Sequence, residues 1–455
     1  MKESDIVLFE MKNRIRDYAW GSQDGLKLYC GIDTPSDRPA AECWMGAHAE
    51  APSNLVTAEG GNLSLRELIS LQPEKILGAR AMHKSSELPF LFKALSASSP
   101  LSIQVHPDKK TAIQGFEREE SLGIPRDSPL RTYRDPNHKP ELALALSPFK
   151  ALCGLRSIEE AAELLGPTLI SLPKMRKTRD AAAYPAFLSR LLGLDAEEKK
   201  VICREAGARA LLLSKSGEDQ ARETGLTTLR LLGLYPGDPG ALAPLFMRLL
   251  LLQPGQALYI SSGLLHSYLE GTILEVMASS DNVVRGGLSP KHIEKVELLR
   301  VVDPDAQPVL LENKPSSEVP GRTLSGMATD FETWPCPAEE FALERICPDS
   351  GARFARDVDG PEILFCTEGS IIISAFEAGH MESPGSAARK ELHIGRGGSA
   401  FLGASCSRYE ITGFGTVYRV RYPGPGGTRI ETGGVGRSGG SSDRKTANFP
   451  GSRQL

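Results

Sequence analysis

Four side chains, Gln104, His106, Glu141 and His266, are of the types that together hold a divalent cation. A single imidazole signals little, whereas two imidazoles, a carboxylate and an amide oxygen make a coherent donor set. Neutral imidazole and carboxylate suit zinc and its neighbours, and such a set leaves room for a weak fourth ligand and a substrate. Gln104 and His106 lie in LSIQVHPDKK, a β-branched run that Pro107 and Asp108 close in a turn. Residues two apart in a strand point to one face, so both side chains could reach one ion. Glu141 sits in NHKPELALAL and His266 in SSGLLHSYLEG, so three separate segments must meet.

The elements that position these groups show in the texture of the chain. At 455 residues it is expected to form two or three domains and to bury a large core without metal or disulfide staples. A metal is therefore expected to serve chemistry rather than folding. Residues 1–153 read as short strands and loops, with few helical pieces such as 65–76. Residues 155–249 carry apolar side chains at three- and four-residue intervals, in SIEEAAELLG, AYPAFLSRLLGL, EEKKVICREAGARALLL and ALAPLFMRLLLL, which predicts a helical block. Ser157 followed by Glu159 and Glu160 predicts a helix N-terminus there. Strand character returns at 250–280 in QALYIS and TILEVMA, PKHIEKVELLRVV predicts a helix over 290–302, and 303–320 reads as a connector. From 330 to 422 six short runs (FALERI, EILFCTE, SIIISAF, GSAFLG, YEITG and TVYRVRY) have the spacing of a sandwich or barrel. Residues 423–455 are rich in Gly and Ser and predict a flexible tail.

With 53 basic and 57 acidic residues the charge is nearly balanced, which argues against nucleic-acid or membrane-surface binding while allowing a local basic pocket for a phosphorylated ligand. Eight scattered cysteines without a CxxC pair predict buried free thiols in a reducing compartment. No apolar run of about 18 residues and no signal-type segment is seen, so a soluble cytoplasmic protein is expected.

The pattern Gly255-x5-Ser261-x-Gly263-x2-His266 resembles the second half of the cupin signature, in which a tight turn presents a ligand histidine inside a small β-barrel; the family normally has Pro at the position of Ser261. The first half usually carries His-x-His and here reads Gln104-x-His106. Together with LPFLFKALS, ECWMGAHAEAPS, YAWGS and ASSDNVVRGGLSPKH, the segments SIQVHPDK and NHKPELALAL resemble type I phosphomannose isomerases in ordered succession over 1–300, more weakly to 422. The resemblance implies a mainly β fold with an α-helical insertion: a central cupin domain from 1–153 and 250–315, an inserted helical domain at 154–249, and a jelly-roll-like domain at 320–422. It implies one zinc ion held by Gln104, His106, Glu141 and His266, an active-site role for Arg285, and sugar-phosphate contacts from Lys93, Ser102 and Lys291.

The implied reaction interconverts mannose 6-phosphate and fructose 6-phosphate, and with it supplies or drains GDP-mannose synthesis. A proton leaves C2 of the open-chain aldose and one returns at C1, through a cis-enediol with negative charge on oxygen. A divalent cation and a guanidinium both lower the energy of that charge. For proton transfer Asp281, Glu275 and Lys139 are candidates, with Asp281 or Glu275 favoured; Glu275 could instead brace a zinc ligand, and Arg285 could be a structural partner of Asp281. Structural hydrogen bonding is expected of His48 and His138, and surface positions of His83, His292, His380 and His393. The charged runs at 117–120 and 197–204 read as solvated helix faces, and Asn282 as a turn residue. The competing readings are a non-catalytic sugar-binding cupin and an iron oxygenase; the complete ligand set speaks against the first and the amide at Gln104 against the second. The expected partners are a small sugar phosphate and no macromolecule, with the chain a monomer.

Overall fold

The computed structural model describes residues 7–57, 62–83, 86–166, 183–315, 329–348, 353–377 and 389–423. The chain is mainly β, with the predicted helical insertion, and its strands form two large antiparallel assemblies. His380 and the Gly/Ser-rich tail beyond residue 423 lie outside the described residues.

The first assembly is organised by one long strand, His266–Ala278. Its second half pairs with Phe90–Ala97 on one side and Glu141–Ala145 on the other. Its first half pairs instead with Ile103–Val105 and Phe149–Leu155. The strand changes sheet at Gly271, where φ is 112° and an added Cβ would lie 2.5 Å from the Pro148 carbonyl oxygen. Only glycine tolerates both the conformation and the approach. The result is a jelly roll of two facing sheets, and each sheet presents one row of side chains to the interior.

Alternation decides which residues form those rows. In Ile103–Val105 the apolar Ile103 and Val105 pack into the core of the helical insertion, which turns Gln104 to the opposite face. In Glu141–Ala145 Leu142 and Leu144 enter the large core shared with the C-terminal unit, leaving Glu141 on the other face.

The insertion comprises Ile158–Leu165, Ala183–Leu192, Ala196–Leu213 and Asp219–Leu234, closed by the short helix Ala243–Phe246. Ser157 and Glu160 form a reciprocal capping box as the sequence predicts, and Asp195 with Glu198 forms another; such caps contribute about 1 kcal/mol each. The helical periodicity overreaches at its end. Met247–Leu252 is a strand paired with Phe149–Leu155, because a short leucine run has no period that separates helix from strand and the available sheet edge decides. The helix expected from Pro290 begins only at Lys295, where the Glu294 carboxylate accepts the Val296 N–H.

In the C-terminal unit the expected short strands fuse. Glu362–Glu377 and Cys406–Arg421 are continuous 16-residue strands paired along their length, bent at Gly369, Gly413 and Gly415, all with positive φ. The N-terminal strand Leu8–Lys12 also pairs here, with Ser399–Leu402. One face of this sheet covers the outer face of the first jelly roll, with Phe365 edge-on to Phe92 at 6.1 Å. All eight cysteines are free, and six are buried.

Candidate active site

Strand register builds the site before any side chain is considered. On one sheet Trp44, Lys93, Glu275 and Ala143 stand side by side across four strands. On the facing sheet Arg285, Gln104, His266 and Cys153 do the same. Side chains in register share a face, so the cationic and carboxylate groups of both rows enter one interior.

Glu141 lies between the rows and gathers the imidazoles. Its Oε1 is 3.2 Å from His106 Nε2 and its Oε2 is 3.4 Å from His266 Nε2, while the Gln104 amide nitrogen is 3.2 Å from His266 Nε2. Tetrahedral zinc with bonds of about 2.0–2.1 Å separates its ligand atoms by roughly 3.3–3.5 Å. His106 Nε2 and Glu141 Oε2 are buried without a hydrogen-bond partner, so lone pairs converge on one point, which is what a cation requires. An amide binds through oxygen, so Gln104 meets an ion after a half-turn of its terminal amide.

The backbone holds both imidazoles in the ligand tautomer. His106 Nδ1 faces the Asn282 carbonyl at 2.7 Å and His266 Nδ1 faces the Leu264 carbonyl at 2.9 Å, so each Nδ1–H is donated and each Nε2 carries a lone pair, that of His106 without a partner and that of His266 beside the Gln104 amide. The turn glycine of the His266 motif, Gly263, has φ of 80° and donates its N–H to the His106 carbonyl, which ties the two ligand segments together. Burial, assisted by the Lys139 charge, pushes the His106 imidazole down to about 4, so it is neutral near pH 7. Burial resists ionisation of Glu141, but Lys139 at 2.8 Å and His106 prevail and hold its carboxyl well below the usual range.

The remaining candidates fall into two groups. Lys93 is buried, donates to Glu275 at 3.0 Å and lies 3.9 Å from Glu42 and 5.1 Å from the centre of the Trp44 ring. Burial and the neighbouring Glu141 and Glu42 raise the Glu275 carboxyl despite Lys93. Arg285, Lys291 and Arg134 form a cationic group instead. Burial and then the Arg134 charge lower the Arg285 guanidinium, and burial, Arg285 and Arg134 lower the Lys291 amine. Arg285 has no ion pair with Asp281 among the described residues, so it does not act as that residue's structural partner. A small cleft opens beside Arg285, lined also by Arg131, Thr132 and His292. Ser102 is partly exposed and precedes Gln104 by two positions.

Asp281 bonds to His48, whose Nε2 is 3.1 Å away, and accepts nothing from Arg285. Burial resists ionisation of Asp281, but His48 and Lys139 hold its carboxyl below the usual range.

Several residues escaped the sequence reading. Asn282, read as a turn residue, is fully buried and bonds a distant segment: its Oδ1 accepts from the Arg134 N–H at 2.8 Å and its Nδ2 donates to the Asp135 and Asn137 carbonyls. Glu119, read as part of a solvated face, is buried and accepts the Thr132 and Tyr133 N–H groups, bracing the segment that carries Arg134. His138 bonds Glu340 of the C-terminal unit at 2.9 Å, and His83, His292 and His393 are exposed.

Comparison with known proteins identifies the family. Residues 8–158 match the family model of the type I phosphomannose isomerase catalytic domain. Mannose-6-phosphate isomerase of Escherichia coli K12 is 37% identical over 413 residues, covering 90% of this chain and 98% of that protein. The chain belongs to the type I phosphomannose isomerase family. The human mannose-6-phosphate isomerase is 29% identical over 426 residues, covering 88% of this chain and 94% of that protein. A solved structure of a single-residue variant of the Salmonella typhimurium phosphomannose isomerase superposes with a TM-score of 0.79 at 33% identity, covering 91% of this chain and 99% of that one. A mannose 6-phosphate isomerase bound with zinc and yttrium superposes at 0.77, with the same identity and coverage. Among the described residues no helix is long and apolar enough to cross a membrane.

Proposed function

We propose that this chain interconverts mannose 6-phosphate and fructose 6-phosphate through a cis-enediol, using one zinc ion held by Gln104, His106, Glu141 and His266. The observation that carries the reading is the convergence of partnerless donor atoms on Glu141 within a chain of this family. Zinc, when bound, supplies Lewis-acid stabilisation of negative charge on the substrate oxygens.

The side chains divide the remaining work. Asp281, ionised at neutral pH and 35% exposed at its side chain, takes the C2 proton and returns it at C1. Glu275 is bonded to Lys93 and buried, so it holds Lys93 in place and is the second candidate for the proton. Lys139 keeps Glu141 ionised. Arg285 stabilises the charge that develops on oxygen. Lys291, beside Arg285 and Arg134 with Glu50 as the nearby carboxylate, receives phosphate together with Ser102, while Lys93 orients the sugar. The same reading takes 1–153 with 250–315 as the catalytic domain, 154–249 as its insertion, 320–422 as a separate jelly-roll unit and 423–455 as a flexible tail. It places a monomer in the cytoplasm, at the branch that feeds or drains GDP-mannose.

The test is to measure fructose 6-phosphate formation from mannose 6-phosphate by the protein as isolated, after chelation, and after zinc is restored. Activity is expected to vanish on chelation and return with zinc. Absence of turnover in the zinc-loaded protein overturns the assignment, and turnover that survives full chelation overturns the metal chemistry.

A further inference from the structure

His48 belongs to a segment, MGAHAE, that the ligand set leaves unused, yet it is buried and its ring is edge-on to Trp44, centroids 4.8 Å apart. Its two nitrogens have different partners. The Glu50 N–H donates to Nδ1 at 3.3 Å, so Nδ1 is an acceptor and the ring hydrogen resides on Nε2. That nitrogen lies 3.1 Å from Asp281 Oδ1. The other side of the arrangement is equally fixed: the Asp281 backbone N–H donates to Asp135 Oδ2 at 2.7 Å, which anchors the segment that carries the carboxylate. Trp44 in turn is held by its own Nε1–H bond to Glu42 at 2.7 Å and lies under the Lys93 ammonium.

We infer that His48 is a positioning residue for the reaction: through its Nε2–H it fixes the orientation and basicity of the Asp281 carboxylate, with Trp44 and the Glu50 amide fixing the ring in turn. The inference rests on the assignment of proton transfer to Asp281. A carboxylate that must reach two adjacent carbons needs one oxygen held and the other left toward substrate, and a single donor on Oδ1 does this. The charged groups that face Asp281 are His48, Lys139, Arg134 and, opposing them, the Asp135 carboxylate, and those facing His48 are Asp281, the Trp44 ring and the Glu50 backbone. Loss of His48 removes one stabiliser of ionised Asp281 and leaves Lys139 and Arg134.

The experiment compares His48→Ala, His48→Gln and Asp281→Asn in the zinc-loaded full chain, reading kcat, KM, bound zinc and the pH profile of kcat/KM. His48→Ala is expected to lower kcat by roughly 10-fold, less than the roughly 100- to 10,000-fold that the proton-transfer group itself supplies, with KM and zinc content held and the acid limb moved to higher pH. His48→Gln, whose amide can donate to the same oxygen, should recover most of the rate and the original limb. Asp281→Asn should lose far more, and adding His48→Ala to it should change nothing further. An inactive Asp281→Asn beside a His48→Ala variant with wild-type rate and profile overturns the role of His48 alone. An active Asp281→Asn overturns the assignment of the base and this inference with it. Loss of zinc or cooperative unfolding in both His48 variants makes His48 structural and overturns it as well.

Discussion

The two β units bury comparable sets of charges and treat them in opposite ways. In the C-terminal unit Arg419 projects into the interior between Glu344 and Glu362, all three nearly inaccessible. Its Nε donates to Glu362 at 2.6 Å, a second guanidinium nitrogen closes a forked pair with the same carboxylate, and the last reaches Glu344 at 2.6 Å; Arg421 takes the other Glu344 oxygen at 3.0 Å. In the catalytic unit Glu141 has Lys139 on one oxygen, while its second oxygen and the His106 Nε2 have no hydrogen-bond partner. The first arrangement is closed within the protein. The second leaves donor atoms open to a bound group, and the same bent-strand architecture therefore hosts a structural ion cluster in one place and the candidate metal site in the other.

The largest effect is expected where the open set is broken. His266→Ala removes one converging lone pair and the strand-register partner of Gln104. The variant should lose zinc on dialysis and at least about 1000-fold in kcat, in the range seen when principal catalytic groups are removed, and metal analysis beside the isomerase assay reads both. Retention of stoichiometric zinc would show that the centre does not depend on this imidazole.

The closed set should respond in stability instead. Arg419→Met leaves the Glu362 carboxylate buried and unpaired, a change that costs about 3–5 kcal/mol. Combining it with Glu362→Leu should recover most of that loss, because Glu344 keeps Arg421. Urea unfolding midpoints measure the stability, and kcat per folded molecule should remain that of the wild type. A fall in kcat without a shift in midpoint would mean that the C-terminal cluster communicates with the reaction centre.

What could be read from the sequence follows the same division between local and distant causes. The ligand segments were legible because each is a local pattern: Gln104 and His106 flank a single strand position, and Gly263 makes a turn three residues before His266. The helical insertion was legible from its periodicity and from Ser157 with Glu160, which cap one turn of backbone. Met247–Leu252 was not, because its apolar run suits either a helix or a strand and only the edge of Phe149–Leu155 chooses. The partner of Asp281 could not be read from residue type, since His48 reaches it from the far end of the catalytic unit. Asn282 misled for a related reason: an asparagine in a loop usually bonds its own turn, whereas this one bonds the distant Arg134–Asn137 segment. Its carbonyl also orients His106, so a residue of turn type proves to support a member of the candidate metal site.

The smallest effect concerns pH in the metal-free protein. The folded His106 imidazole is pushed down to about 4, whereas an exposed histidine in the unfolded chain titrates at about 6.5. Between those values the unfolded chain binds a proton that the folded chain refuses, so stability falls as pH falls through that window. From pH 7 to pH 4.5 this one group should cost about 2.5 kcal/mol at most, since one pKa unit corresponds to about 1.4 kcal/mol. His106→Gln should flatten that part of the urea-midpoint curve. Arg419→Met should lower the curve most at neutral pH and less toward acid, the opposite trend to His106, because the unpaired Glu362 carboxyl takes up a proton as pH falls. Zinc binds the deprotonated ring and should steepen the wild-type dependence, as protons and metal compete for the same nitrogen. Parallel curves for His106→Gln and wild type would mean that the burial of this imidazole is relaxed in the metal-free protein, and with it the contrast between an open and a closed charge cluster.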